Sequence, residues 1–171
     1  MRTADRVLLV GMMGAGKTTV GHALAAVLGW RFLDNDELLA RAVGKDTRRV
    51  QEEDGEPALR RAESRALGVA LSEGGPLVAG VAGGVVTNPL DRDRLRGGGF
   101  VVWLRADIAT LARRVAGTDR PWLGDDPAAA MRQLYAGRAD LYASVATMVV
   151  DVDKAPADVI AQRIAAALIC G

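Results

Sequence analysis

The chain has little of several things that would declare a function at once. Among its 171 residues there is one cysteine, Cys170, near the C-terminus. No disulfide framework is possible within the chain, a cytoplasmic location fits, and a terminal thiol is a poor candidate nucleophile. There is one histidine, His22. Without a second histidine or a cysteine cluster, a zinc-type site has no ligand set. Charge is almost balanced, with 22 Lys and Arg against 21 Asp and Glu and a net +1. No basic field therefore points to nucleic acid or to an anionic membrane. No apolar run is long enough to span a bilayer. The start, Met1-Arg2-Thr3-Ala4-Asp5, runs straight into an apolar segment and leaves no room for a signal peptide. Internal repeats and low-complexity linkers are missing too. Half the residues are apolar and a quarter charged, as expected of one domain, residues 1–171, with a substantial core. No stripe of surplus apolar residues marks an interface, so a monomer is expected.

One stretch organises the rest. Gly11-Met12-Met13-Gly14-Ala15-Gly16-Lys17-Thr18 matches G-x-x-x-x-G-K-[ST]. The apolar run Val7–Val10 precedes it, and Val20, Leu24, Val27 and Leu28 follow at helical spacing. Strand, loop and helix in register turn the pattern into a phosphate site. Glycines let the backbone close around an anion with its N–H groups inward, and the helix start adds its positive dipole end. Lys17 reaches the β- and γ-phosphates of a nucleoside triphosphate, and the Thr18 hydroxyl is placed to ligate Mg²⁺. Gly14, Ala15, Gly16, Lys17, Thr18 and Thr19 are the candidate nucleotide-binding residues.

Strand-like and helix-like segments then alternate. Strands are expected at residues 6–10, 30–33, 77–81, 100–104 and 147–150. Helices are expected at 16–28, 37–43, 46–53, 56–71, 89–95, 107–115, 128–144 and 156–168. Gly29 and Gly44 end two of them, Asp54-Gly55 separates the third from the fourth, Asn88 and Asp107 cap two more, and Gly97-Gly98-Gly99 leads into a strand. This alternation implies an α/β fold with a five-stranded parallel sheet covered by helices on both faces. Ligands bind such sheets at the carboxyl ends of the strands. That brings together the phosphate loop, Asp34 with Asp36, Ala82-Gly83-Gly84 and whatever follows Leu104.

A phosphate loop alone does not name the acceptor. Asp34 and Asp36 lie two apart, and on an extended segment both point to the mouth of the sheet. One carboxylate is then available to Mg²⁺ through water and the other to an attacking hydroxyl. The plainer reading is that Asp34-Asn35-Asp36 only caps the next helix. Arg60 and Arg61 follow an acidic turn, Arg120 lies in a glycine- and proline-rich loop, and Arg138 lies on the helix after it. Singly these are ordinary surface charges. Together they suit bidentate capture of carboxylate or phosphate, with Arg120 closing from a lid at about 116–127.

Taken in this order, the motifs resemble the shikimate kinases over essentially the whole chain. They are the phosphate loop through Gly21, Leu-Gly-Trp-Arg-Phe-Leu-Asp-Asn-Asp at 28–36, and Asp-Gly-Glu with Arg60, Arg61 and Glu63. After them come Ala-Gly-Gly-Val-Val-Thr at 82–87, Arg120-Pro121, Arg138 with Leu141-Tyr142, and Val145-Ala146-Thr147-Met148. The resemblance implies a three-layer P-loop kinase fold, with substrate-binding helices at about 35–72. It also implies an ATP- and Mg²⁺-dependent phosphotransferase acting on a hydroxyl of shikimate, in aromatic amino-acid biosynthesis. By that resemblance Lys17 steadies the phosphates, and Thr18 and Asp34 serve the metal. Asp36 accepts from the attacking hydroxyl, Arg60 and Arg138 clamp the acceptor carboxylate, and Gly83 and Gly84 offer N–H groups to it. Arg120 bridges to the moving phosphoryl, Arg113 or Arg114 flanks the adenine, and the loop at Lys154 covers its other side. The chain departs from the family at Gln51 and Leu59, where aromatics are usual, at Ala82, where a third glycine is usual, and in the charged run Asp46–Arg49. Kinases of another small polyhydroxy acid or cyclitol, such as gluconate, and an inactive nucleotide-binding regulatory relative are the alternatives. A nucleoside monophosphate kinase fits less well, because the lid is short.

Overall fold

The computed structural model describes residues 5–118, 120 and 123–170. Met1–Ala4, expected to run directly into the first strand, lie outside the described residues, as do Asp119, Pro121 of the Arg120-Pro121 pair, Trp122 and Gly171. The elements are β1 (Arg6–Val10), α1 (Lys17–Leu28), β2 (Arg31–Leu33), α2 (Asn35–Val43), α3 (Thr47–Ser72), β3 (Leu77–Gly80), α4 (Pro89–Gly98), β4 (Phe100–Arg105), α5 (Ile108–Val115), α6 (Pro127–Val145), β5 (Met148–Asp151) and α7 (Ala157–Cys170). The strands form one sheet in the order β2-β3-β1-β4-β5, every pair parallel. Helices cover both faces, so the three-layer expectation holds. The central strand reads Val7-Leu8-Leu9-Val10, wholly buried, as a strand covered on both sides must be. Buried side chains from the sheet and the helices join in one cluster.

Local chemistry explains the boundaries. Gly16 and Gly29 flank α1 in left-handed conformation, at φ 89° and 68°. Gly21 has no room for a methyl group, because the Phe32 ring of β2 lies where its Cβ would stand. The helices expected at 46–53 and 56–71 run together as α3, but Gly55, at φ 80° and ψ 175°, breaks it into two helical stretches where Asp54-Gly55 was expected to. Two other expectations differ from the structure. The α4 helix does not stop at Leu95 but continues through Gly98, with Gly99 turning the chain into β4. Asp107 stands before α5 without a side-chain capping bond, and its own N–H instead donates to Asp153 Oδ2 at 2.6 Å.

A third difference concerns the site. The α2 helix starts at Asn35, so Asp34 is its N-cap and accepts from the Glu37 N–H at 3.0 Å, while Asp36 sits in the first helical turn. The two carboxylates are therefore not on an extended segment. The capping role weighed as the plainer reading of Asp34 is real, and both residues nonetheless line the cleft described next.

Candidate active site

A cleft of about 880 Å³ opens at the carboxyl ends of β1, β2 and β3. That size suits a small ligand beside part of a nucleotide. Its walls include Gly14, Gly16, Lys17, Thr18, Thr19, Asp34, Asp36, Arg60, Gly83, Gly84, Arg120 and Arg138, all singled out from the sequence. Ala15 is not among the lining residues. Its methyl is buried, and its N–H donates to Met12 O at 3.1 Å inside the loop.

At the phosphate end, Gly14 and Gly16 take φ of 81° and 89°, which side chains rarely adopt. Lys17 folds under the loop, and its ammonium donates to Gly11 O at 2.8 Å and Met12 O at 3.0 Å. Loss of solvent around the ammonium, with Arg120 and Arg138 nearby, pulls its pKa down from 10.5 to about 8, although Glu63 opposes the shift. A cluster of cations at such cost is a place prepared for an anion. Arg120 reaches Met13 Sδ at 3.6 Å and so leans over the loop.

At the other end, Arg60 extends from α3 and donates to Glu63 at 2.8 Å and Glu56 at 3.0 Å. Glu63 is only 6% exposed, and so is Arg138 on α6. Burial pushes the Glu63 carboxyl above its usual range, against the pull of Arg60 and Arg138. Tyr142, one helical turn after Arg138, donates to Gly83 O at 2.6 Å, and burial raises its phenol to about 12. The Arg60 guanidinium packs directly on Gly84, so a Cβ there would displace it and approach Glu63 Oε2 to 2.7 Å. Ala82 is buried without positive φ, so its methyl imposes no backbone strain. Gln51, Leu59 and Ala82 all face the cleft, as do Asp46, Thr47 and Arg48 of the charged run.

Arg113 and Arg114 line a separate cleft of about 400 Å³ with Thr110 and Asp153. Arg114 reaches the phosphate loop, donating to Gly14 O at 2.9 Å, whereas Arg113 donates to Thr110 at 3.2 Å on its own helix. Lys154 ends a short 3₁₀ turn after β5 and lines neither cleft. Glu63 and Thr47 are among the site-lining residues that had no role in the sequence reading. Glu63 stands three residues after Arg60, a helical pair legible from spacing alone. Thr47 donates its hydroxyl to Asp36 Oδ1 at 2.7 Å across the α2–α3 junction, a contact that no local pattern announces.

A model of the shikimate kinase family matches residues 13–169. The chain is 38% identical over 169 residues to a shikimate kinase of Halorhodospira halophila, covering 98% of this chain and 95% of that one. It is 40% identical over 164 residues to one of Ruegeria pomeroyi, covering 95% and 84%. Among solved structures, the shikimate kinase of Acinetobacter baumannii in complex with shikimate superposes with a TM-score of 0.89 at 34% identity, covering 96% of this chain and 93% of that one.

Proposed function

The chain belongs to the shikimate kinase family, and we propose that it transfers the γ-phosphoryl group of ATP to a ring hydroxyl of shikimate. The observation that carries the proposal is the meeting of Lys17, Arg120, Asp36, Arg60 and Arg138 on the walls of one cleft, with the buried Glu63 joining the last two. In this reading the loop N–H groups and Lys17 hold the phosphates. Arg60 and Arg138 hold the acceptor carboxylate as paired guanidiniums. Glu63 fixes Arg60 while leaving part of its fork available. Gly83, tied down through its carbonyl by Tyr142, and Gly84 let the acceptor approach backbone closely. Asp36 accepts the hydroxyl proton as the oxygen attacks, and Arg120 balances charge on the moving phosphoryl. Arg114, held against the loop, flanks the adenine side together with Arg113.

Magnesium suits the donors present. Thr18 offers a hydroxyl, and Asp34 has one carboxylate oxygen engaged by its cap and another left over. Such a hard cation would be held mainly by phosphate oxygens and water, and when bound it would neutralise phosphate charge. Among the described residues no helix is long and apolar enough to cross a membrane. A coupled ADP-release assay with ATP, Mg²⁺ and shikimate tests the proposal. Saturable, shikimate-dependent ADP formation is expected. Turnover only with gluconate or another acid, or nucleotide binding with no turnover, would overturn it.

A further inference from the structure

Thr47 is the first residue of α3, and the demands on that helix start are met by its neighbour: Asp46 caps it by accepting from the Arg49 N–H at 2.8 Å. A threonine deeper in a helix returns its hydroxyl to a carbonyl one turn back, but at this position no helical carbonyl precedes it. The hydroxyl is free to point elsewhere, and it points at α2. It donates to Asp36 Oδ1 at 2.7 Å and accepts from Asn35 Nδ2 at 3.3 Å. Because the Asn35 amide occupies its acceptor side, the single hydroxyl proton is directed to Asp36. Asn35 Oδ1 is buried without a partner, so Thr47 is also what anchors the Asn35 side chain.

Asp36 needs such a tether. It lies in the first turn of α2 on the open side of the cleft, exposed, where a short carboxylate samples several rotamers. No other hydrogen bond to its side chain is made by the protein's described residues. We infer that Thr47 is a positioning residue for the reaction: it holds one oxygen of Asp36 so that the other faces the attacking hydroxyl of the acceptor. The inference rests on the role proposed for Asp36. Threonine is suited to the task, since β-branching limits its rotamers and sets the hydroxyl direction. The gain is one of orientation: a base held within hydrogen-bonding reach raises the turnover rate without tightening either substrate.

The test compares Thr47→Val, which keeps the shape and removes the hydroxyl, with Thr47→Ser, which keeps the hydroxyl, in the wild-type and Asp36→Ala backgrounds. Melting temperature is measured for each. Thr47→Val is expected to lower kcat by about tenfold with KM for ATP unchanged, and Thr47→Ser to restore most of the rate. In the Asp36→Ala background, Thr47→Val is expected to cause no further loss of the residual rate. Unchanged kcat in Thr47→Val, an equal loss in Thr47→Ser, or a full further loss in the Asp36→Ala background would each overturn the inference while leaving Asp36 in its role. A fully active Asp36→Ala enzyme would overturn both.

Discussion

At the proposed phosphate end of the cleft, Met13, Gly14, Gly16, Lys17 and Thr18 all come from one short stretch between β1 and α1. At the proposed acceptor end, Asp36, Arg60, Glu63, Gly83, Gly84 and Arg138 come from α2, α3, the turn after β3 and α6. The first end is fixed by the geometry of one strand–loop–helix unit. The second exists only when several elements pack correctly, and it depends on contacts such as Arg60–Glu63 and Tyr142–Gly83. The phosphate end therefore has little freedom to change, while the acceptor end can alter one wall residue at a time. Gln51, Leu59 and Ala82 are all on that side.

The phosphate end is most sensitive at Lys17. Lys17→Ala is expected to lower kcat/KM on the order of a thousandfold, because it removes the desolvated cation proposed to hold the transferring phosphates. Its melting temperature should change little, since relief of the repulsion from Arg120 and Arg138 offsets the lost bonds to Gly11 O and Met12 O. Retained activity would contradict the assignment of the phosphate end.

Arg138→Ala attacks the other end. KM for shikimate should rise roughly a hundredfold, from lost charge-assisted hydrogen bonds, while KM for ATP changes little. A rise of the same size in both constants would mean that the two ends do not act on separate ligands.

The smallest effect is a protonation linkage that belongs to the phosphate end alone. Lys17 has a pKa of about 8 in the free protein, and a bound polyphosphate favours the ammonium and raises that value. Below pH 8 the lysine is charged with and without nucleotide, so affinity is flat. As pH rises through 8 the free form loses its proton, binding must recover it, and affinity for ADP falls by up to about tenfold per pH unit. Calorimetric titration between pH 7 and 9.5, in buffers of different ionisation enthalpy, should detect the uptake. A pH-independent affinity would mean that Lys17 does not feel the nucleotide.

These differences also explain what the sequence could reveal. Residues 11–18 carry their own geometry, so the loop, its flanking β1 and α1, and the alternation leading to a parallel sheet were legible. Gly84 was legible as a glycine, but its reason, the Arg60–Glu63 pair pressed against it, is a contact between distant elements. Asp34 and Asp36 were found by spacing, yet their presentation was misread: an N-cap at Asp34 starts α2 earlier than apolar periodicity suggests. That Arg114 rather than Arg113 reaches the phosphate loop was equally hidden, because the Arg114–Gly14 bond joins α5 to a residue 100 positions earlier, beyond any local pattern. Thr47 was hidden for the same reason, since its partner Asp36 lies across the α2–α3 junction.

The central claim is that the two ends meet, so that nucleotide cleavage and acceptor phosphorylation are one event. Phosphorus NMR of the reaction mixture tests it most directly, by counting phosphate ester formed per ADP released with shikimate as acceptor. One ester on a ring hydroxyl is expected for each ADP, with negligible free phosphate. ADP and inorganic phosphate accumulating without ester would contradict it.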